Sequence, residues 1–151
     1  MNDAHLHLLV NHFPIIGMLI GLGILIAGLI LKNNSLKYTA FVLFIVVAIF
    51  GFLAMYSGEG AEEIVEDYPN IGKAIILEHE ELAEKMVFIL YATAFAALLS
   101  FITLMKKHKF ANVFSIITLV FALIAVILSK SVGTSGGEIR HTEIRSNPLE
   151  K

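Results

Sequence analysis

Histidine is the residue type in this chain best suited to chemistry, because the sequence has six histidines and no cysteine. Neutral imidazole is the commonest protein metal ligand, and it also holds haem iron. The absence of cysteine excludes disulfides, thiolate-bound zinc or iron–sulfur centres, and covalently attached c-type haem. The candidate chemistry is therefore the binding of a metal or of a b-type haem.

All the histidines but His108 lie outside the apolar interiors on what four membrane crossings would make one common side: His5, His7, His12, His79 and His141. His12 and His79 both lie where an apolar stretch begins. Since two axial ligands of one haem must lie at the same depth, we expect His12 and His79 to face each other between the first and third helices.

Two other interpretations of these residues stay open. The histidines could be interfacial side chains that need only a hydrogen bond near lipid headgroups. Alternatively, carboxylates on the same side, including Glu59, Glu62 and Glu138, could combine with histidine to hold copper, zinc or iron. Glu138 and His141 have the Glu-x-x-His spacing of di-iron bundles, but we expect them to lie beyond the membrane helix.

The composition predicts the elements that position these residues, since 57% of the chain is hydrophobic and 16% is charged. Uncharged stretches at 4–31, 38–58, 86–105 and 110–129 each supply the about 20 residues that a membrane helix requires. We predict an all-α integral membrane four-helix bundle forming a single domain, 1–151. The expected helices are at about 12–31, 38–57, 79–105 and 110–130, with a C-terminal tail at 131–151.

Charge distribution predicts the orientation of the bundle. The two short loops carry Lys32, Lys37, Lys106, Lys107 and Lys109 and no acid, whereas all 13 acidic residues lie elsewhere. Short lysine-rich loops stay cytoplasmic. We therefore expect a multi-pass protein of the bacterial cytoplasmic (inner) membrane with both termini on the extracytoplasmic side.

Glycine and proline predict where helices end and how they pack. Small residues recur along every helix, which we interpret as packing surfaces without a site role. Pro14 is expected to place Asn11 or His12 at the start of the first helix or at a kink, and the 57–60 segment to end or loosen the second helix. The 133–137 segment is expected to turn the chain beyond the fourth helix. We recognise no sequence repeat between the two halves.

Four short motifs resemble a widespread family of small bacterial four-helix membrane proteins, long described as a domain of unknown function. They are His7-x-x-x-x-His12-Phe13-Pro14, Ser57-Gly58, His79 at the third helix, and Gly136-Gly137-Glu138-Ile139-Arg140-His141. Proteins of that family occur alone or fused to Rieske iron–sulfur or cytochrome c domains. The resemblance implies redox work at the extracytoplasmic surface, with His12 and His79, and also His7 and His141, as bis-imidazole pairs.

Our leading interpretation is a membrane-bound b-type haem-binding electron-transfer protein with one haem, exchanging electrons with a respiratory or periplasmic partner. The alternatives are a copper-, zinc- or iron-binding or transport protein, or a structural subunit of a membrane complex. We expect an electron-transfer or binding subunit rather than an enzyme. The sequence has no Ser/His/Asp arrangement, phosphate loop or nucleic-acid-binding patch. It leaves oligomerisation open.

Overall fold

The computed structural model describes residues 1–66, 68 and 71–145, and these residues form an all-helical bundle. Residues 146–151 of the predicted tail lie outside the described part. The elements are α1 (Asp3–Val10), α2 (His12–Ile30), α3 (Asn34–Val65), α4 (Lys73–Met105), α5 (Ala111–Arg140) and a 3-10 turn at Thr142–Ile144.

Four helical units are long and apolar enough to cross a membrane, with α1 and α2 together forming the first. They are Asp3–Ile30, Asn34–Val65, Lys73–Met105 and Ala111–Arg140, with mean hydropathies of 2.2 to 2.7 over their most apolar windows. The prediction of an all-α bundle of four candidate membrane helices is confirmed. α2 packs on α3, α3 on α4, α4 on α5 and α5 on α2, so the helices close into a ring.

The interruption between α1 and α2 lies at Asn11, as expected from Pro14. Proline has no N–H, so the carbonyl of Val10 cannot receive the helical hydrogen bond that residue 14 would normally donate. The Asn11 N–H still bonds the His7 carbonyl at 2.9 Å. Because α1 continues the helix back to Asp3, with the Asn2 side chain accepting from the His5 N–H, His7 lies on a helix rather than on a tail.

α3, α4 and α5 extend beyond the predicted bounds at the end of the bundle that carries these histidines, which we call the histidine end. α3 continues through Gly58 and Gly60 to Val65, α4 begins at Lys73, and α5 continues through 133–137 to Arg140. In the described part no glycine has a positive φ. Glycine costs about 1 kcal/mol in a helix interior relative to alanine, so it weakens a helix without ending it. The expected turn at 133–137 is therefore helix.

The core explains several of the small residues in the helices. Large buried side chains occupy the centre of the bundle, among them Met18, Phe41, Phe44 and Leu90. A Cβ on Gly21 would collide with the Phe44 ring, and one on Gly51 would collide with Leu90. These glycines therefore serve close helix packing, as expected.

Candidate functional site

All four predicted haem ligands line one cavity at the histidine end of the bundle. The cavity has a volume of about 270 Å³, and its lining includes His7, His12, His79 and His141. The remaining histidines lie away from it: His5 is exposed on α1, and His108 is in the α4–α5 turn at the opposite end. The fold thus brings together side chains from the first helix, the third predicted helix and the chain segment after the fourth.

His7 is fixed by a contact between α1 and α3. Its Nδ1 lies 2.9 Å from the backbone carbonyl oxygen of Ala54, and the Ser57 Oγ lies 3.4 Å from the same nitrogen. A carbonyl oxygen only accepts, so the neutral ring carries its proton on Nδ1. The Nε2 lone pair is then left for a metal ligand bond, and the carbonyl sets the ring orientation.

His79 is fixed in a similar way by a contact between α4 and α5. Its Nδ1 lies 2.9 Å from the Ser135 Oγ, and that hydroxyl is 3.2 Å from the carbonyl oxygen of Val132. Because the serine O–H donates to Val132, the Oγ accepts from the imidazole, so the His79 proton is on Nδ1. Its Nε2 lone pair is left for a ligand bond as well.

Each of these histidines packs on a Ser-Gly pair of the next long helix. A Cβ on Gly58 would lie 3.5 Å from the Cε1 of His7, and a Cβ on Gly136 would lie 2.9 Å from the Cε1 of His79. Glycine at 136 is therefore required for the imidazole to lie where it does. The signal that sequence analysis missed was the recurrence of Ser-Gly, once at the end of the second apolar stretch and once after the fourth.

The chain forms two helical hairpins, α2–α3 and α4–α5, and buried residues lie at corresponding positions in the two. One constant offset pairs α2 with α4: Pro14 with Met86, Met18 with Leu90, Gly21 with Thr93, Leu25 with Ala97, and Gly28 with Ser100. Another pairs α3 with α5: Lys37 with Ser115, Ala40 with Thr118, Phe44 with Ala122, Val47 with Ala125, Gly51 with Ser129, and Ser57 with Ser135. The first offset also pairs His7 with His79. The two halves therefore share a pattern of buried positions, although no repeat is recognisable in the residues themselves.

The turns of the two hairpins have the same backbone feature, a lysine with a positive φ. Lys32 and Lys107 follow the first long helix of each hairpin, and they have φ values of 52° and 49°. A residue in this left-handed conformation is a common way to end a helix. The repeat is visible in burial and backbone geometry and is nearly absent from residue identity.

The four histidines of the cavity differ in burial. His7 and His79 are both partly buried, whereas His12 is exposed at the cavity wall. His141 is exposed too, and its Nδ1 lies 3.0 Å from the Glu143 Oε1. The Glu143 carboxylate is hydrogen-bonded to its own backbone N–H and to the His141 ring, and these two bonds hold the pKa of the Glu143 carboxyl below its usual range.

The cavity wall between the histidines is largely apolar. Its lining includes Ile15, Met55, Met86 and Val87. Asn11 is a polar residue of this wall, and its Oδ1 is buried without a hydrogen-bond partner among the described residues. A buried acceptor left unpaired is costly, so this atom calls for a donor on a bound ligand or an ordered water in the cavity.

The carboxylates of the alternative metal site lie elsewhere. Glu59, Glu62 and Glu138 are not among the described residues that line the cavity. Within residues 1–66, 68 and 71–145, no three His, Cys, Asp or Glu side chains are grouped closely enough to hold a metal ion. The backbone carbonyl of Glu138 instead accepts a hydrogen bond of 2.8 Å from the Arg145 Nε.

Comparison with known proteins found no similar protein. The chain matches no protein-family model, no curated protein and no solved structure.

Proposed function

We propose that the chain is a membrane-bound, b-type haem-binding electron-transfer protein whose axial ligands are His7 and His79. The observation that carries this proposal is the corresponding placement of the two imidazoles in the two hairpins. In each, Nδ1 is bonded to the neighbouring helix, at 2.9 Å from the Ala54 carbonyl or from the Ser135 hydroxyl. Two oriented imidazoles with free Nε2 lone pairs at one cavity are what a bis-histidine haem requires.

The donor set supports haem over a single non-haem metal ion. A zinc site takes three or four protein ligands, whereas the porphyrin supplies the equatorial nitrogens of haem iron and leaves the axial positions to the protein. His7 and His79 are the two histidines of the cavity with ring nitrogens bonded to a neighbouring helix. The apolar wall, which includes Met86 and Val87, suits a macrocycle better than a hydrated ion.

The cavity volume sets a further condition on this proposal. At about 270 Å³ it lies near the lower limit of ligand pockets, which span roughly 300–1,000 Å³. A macrocycle therefore exceeds the cavity, and we expect binding to widen it.

In this proposal the chain's own residues bind, orient and insulate the group. His7 and His79 would hold the haem iron, and the Ala54 carbonyl and Ser135 hydroxyl would fix their rings and increase the basicity of Nε2. Apolar side chains limit access of water. The bound haem would supply a reversible one-electron change at its iron.

We place the histidine end on the extracytoplasmic side of a bacterial cytoplasmic membrane. Support comes from the two hairpin turns, which contain Lys32 and Lys107 and lie at the opposite end. A site at the histidine end would then exchange electrons with a respiratory or periplasmic partner.

Visible spectroscopy with metal analysis tests the proposed function. The protein, purified in mild detergent, should contain iron and give sharp bands on reduction with dithionite, as paired-imidazole haem does. Copper or zinc in place of iron would contradict haem binding and indicate a different use of the same histidines. A preparation that contains no metal and takes up no added haem would contradict both.

A further inference from the structure

The charge of the cavity differs from that of its surroundings. The histidine end carries many carboxylates, among them Glu59, Glu80 and Glu143, yet no Asp or Glu is found among the described residues that line the cavity. The polar lining consists of Arg140, Asn11 and the four imidazoles. A lining with one permanent cation and no anion, within an acidic surface, complements a negatively charged group on the ligand.

Arg140 is the permanent cation of this lining. It is the last residue of α5, and its Cζ lies 5.5 Å from the centroid of the Tyr68 ring. A guanidinium within about 6 Å of a ring centroid is attracted to the ring as a cation, and this contact needs no carboxylate partner. Among the described residues, no carboxylate pairs with Arg140, and the nearby Glu143 is bonded to His141 instead.

The spacing along α5 relates Arg140 to the proposed haem ligands. Gly136 and Arg140 are four residues apart and therefore lie on one face of the helix, where both line the cavity. The His79 ring packs on Gly136. On this face of α5, Gly136 contacts the His79 ring, and the Arg140 guanidinium lies one helical turn closer to the end of the helix.

We propose that Arg140 binds a carboxylate carried by the ligand, which orients the ligand with its charged end at the rim of the cavity. This inference rests on the proposed function, because haem carries two propionate carboxylates next to an otherwise apolar macrocycle. A guanidinium matches a carboxylate with two parallel N–H···O bonds. A fatty acid carries the same charged group on an apolar body and is the second source of this chemistry.

Titration of haem-free protein with haem and with haem dimethyl ester tests the carboxylate site. The wild-type protein is expected to bind haem about 10- to 100-fold more tightly than the ester, the range for hydrogen bonds to a charged group. Arg140→Gln should weaken haem binding to the level of the ester and leave ester binding unchanged. Arg140→Lys should retain part of the preference because it keeps the charge and loses the planar fork.

Lys130→Gln is the matched control, because it removes one positive charge from the exposed surface of the same helix outside the cavity. It should retain the full preference for haem over the ester. Equal binding of haem and ester by the wild-type protein would overturn the carboxylate site and leave the histidine ligation intact. A preference that persists in Arg140→Gln would overturn the assignment to Arg140.

If the wild-type protein binds neither haem nor the ester, the proposed haem function is wrong, and the carboxylate site is tested separately. A fluorescent fatty acid and its methyl ester are then the probes. Preference for the free acid that is lost in Arg140→Gln supports the carboxylate site with a fatty acid as the source. Equal binding of acid and ester overturns it.

Discussion

Ser135 on α5 accepts a hydrogen bond from His79 on α4, with 2.9 Å between Oγ and Nδ1, and donates its own proton to the Val132 carbonyl. This bond fixes both the tautomer and the direction of the imidazole. Ser57 lies at the corresponding position of the other hairpin, 3.4 Å from the His7 Nδ1, while the Ala54 carbonyl makes the shorter contact.

Replacing Ser135 by alanine should weaken haem binding by about 10- to 100-fold, the usual effect of removing a group that orients a metal ligand. The haem that remains should keep its bis-imidazole spectrum, because His79 itself is still present. Titration of haem-free protein measures the effect. Ser129→Ala is the control, since Ser129 is also buried on α5 and donates to the Val126 carbonyl at 2.8 Å without contacting a histidine. Equal losses in both variants would contradict a positioning role for Ser135.

A methyl group at position 136 should disturb the site through His79. In Gly136→Ala the Cβ would lie 2.9 Å from Cε1 and 3.4 Å from Nδ1 of the ring, so the ring must move and its bond to Ser135 is strained. We expect reduced haem content per protein. Gly23→Ala is the matched helix substitution, because a Cβ there meets nothing within 4 Å. Full haem content in Gly136→Ala would show that the close approach is not needed.

Much of the fold could be predicted because membrane helices are encoded by long apolar stretches, which composition reveals directly. The helix ends at the histidine end could not be predicted, because Gly58 and Gly136 suggest turns locally. At Gly136 a Cβ would lie 2.9 Å from an imidazole of another helix, whereas at Gly58 a Cβ would make an ordinary contact of 3.5 Å with His7. In this case tertiary packing determines the local conformation.

The sequence predicted four histidines at one end of the bundle, and His7, His12, His79 and His141 do line one cavity there. It could not predict that the Nδ1 of His7 is bonded to the Ala54 carbonyl, because that bond depends on the packing of α1 against α3. The proposal of His7 as the partner of His79 rests on that contact. The similarity of the hairpins was hidden because corresponding buried positions differ in size, as with Phe44 and Ala122. Such a repeat keeps burial and geometry while residue identity changes.

Orientation in the membrane can be tested with a reporter that is active only outside the cytoplasm. Fusion after Lys151 should give an active reporter, and insertion near Asn33 should give an inactive one, because the hairpin turn of Asn33 is lysine-rich and follows the positive-inside rule. A cytoplasmic reporter at the same two positions provides the control. The opposite pattern would place the histidine end in the cytoplasm.

Haem content after substitution of single histidines tests the assignment of His7 and His79 as the ligands of one haem. His7→Ala and His79→Ala should each abolish or severely reduce bound haem, because loss of one axial imidazole removes an iron ligand that water replaces poorly. His12→Ala and His108→Ala are the controls, one exposed at the cavity wall and one at the opposite end of the bundle. Both should retain haem with an unchanged reduced spectrum. Full haem content in the double variant His7→Ala/His79→Ala, or loss of haem in His12→Ala with retention in His7→Ala, would contradict the account.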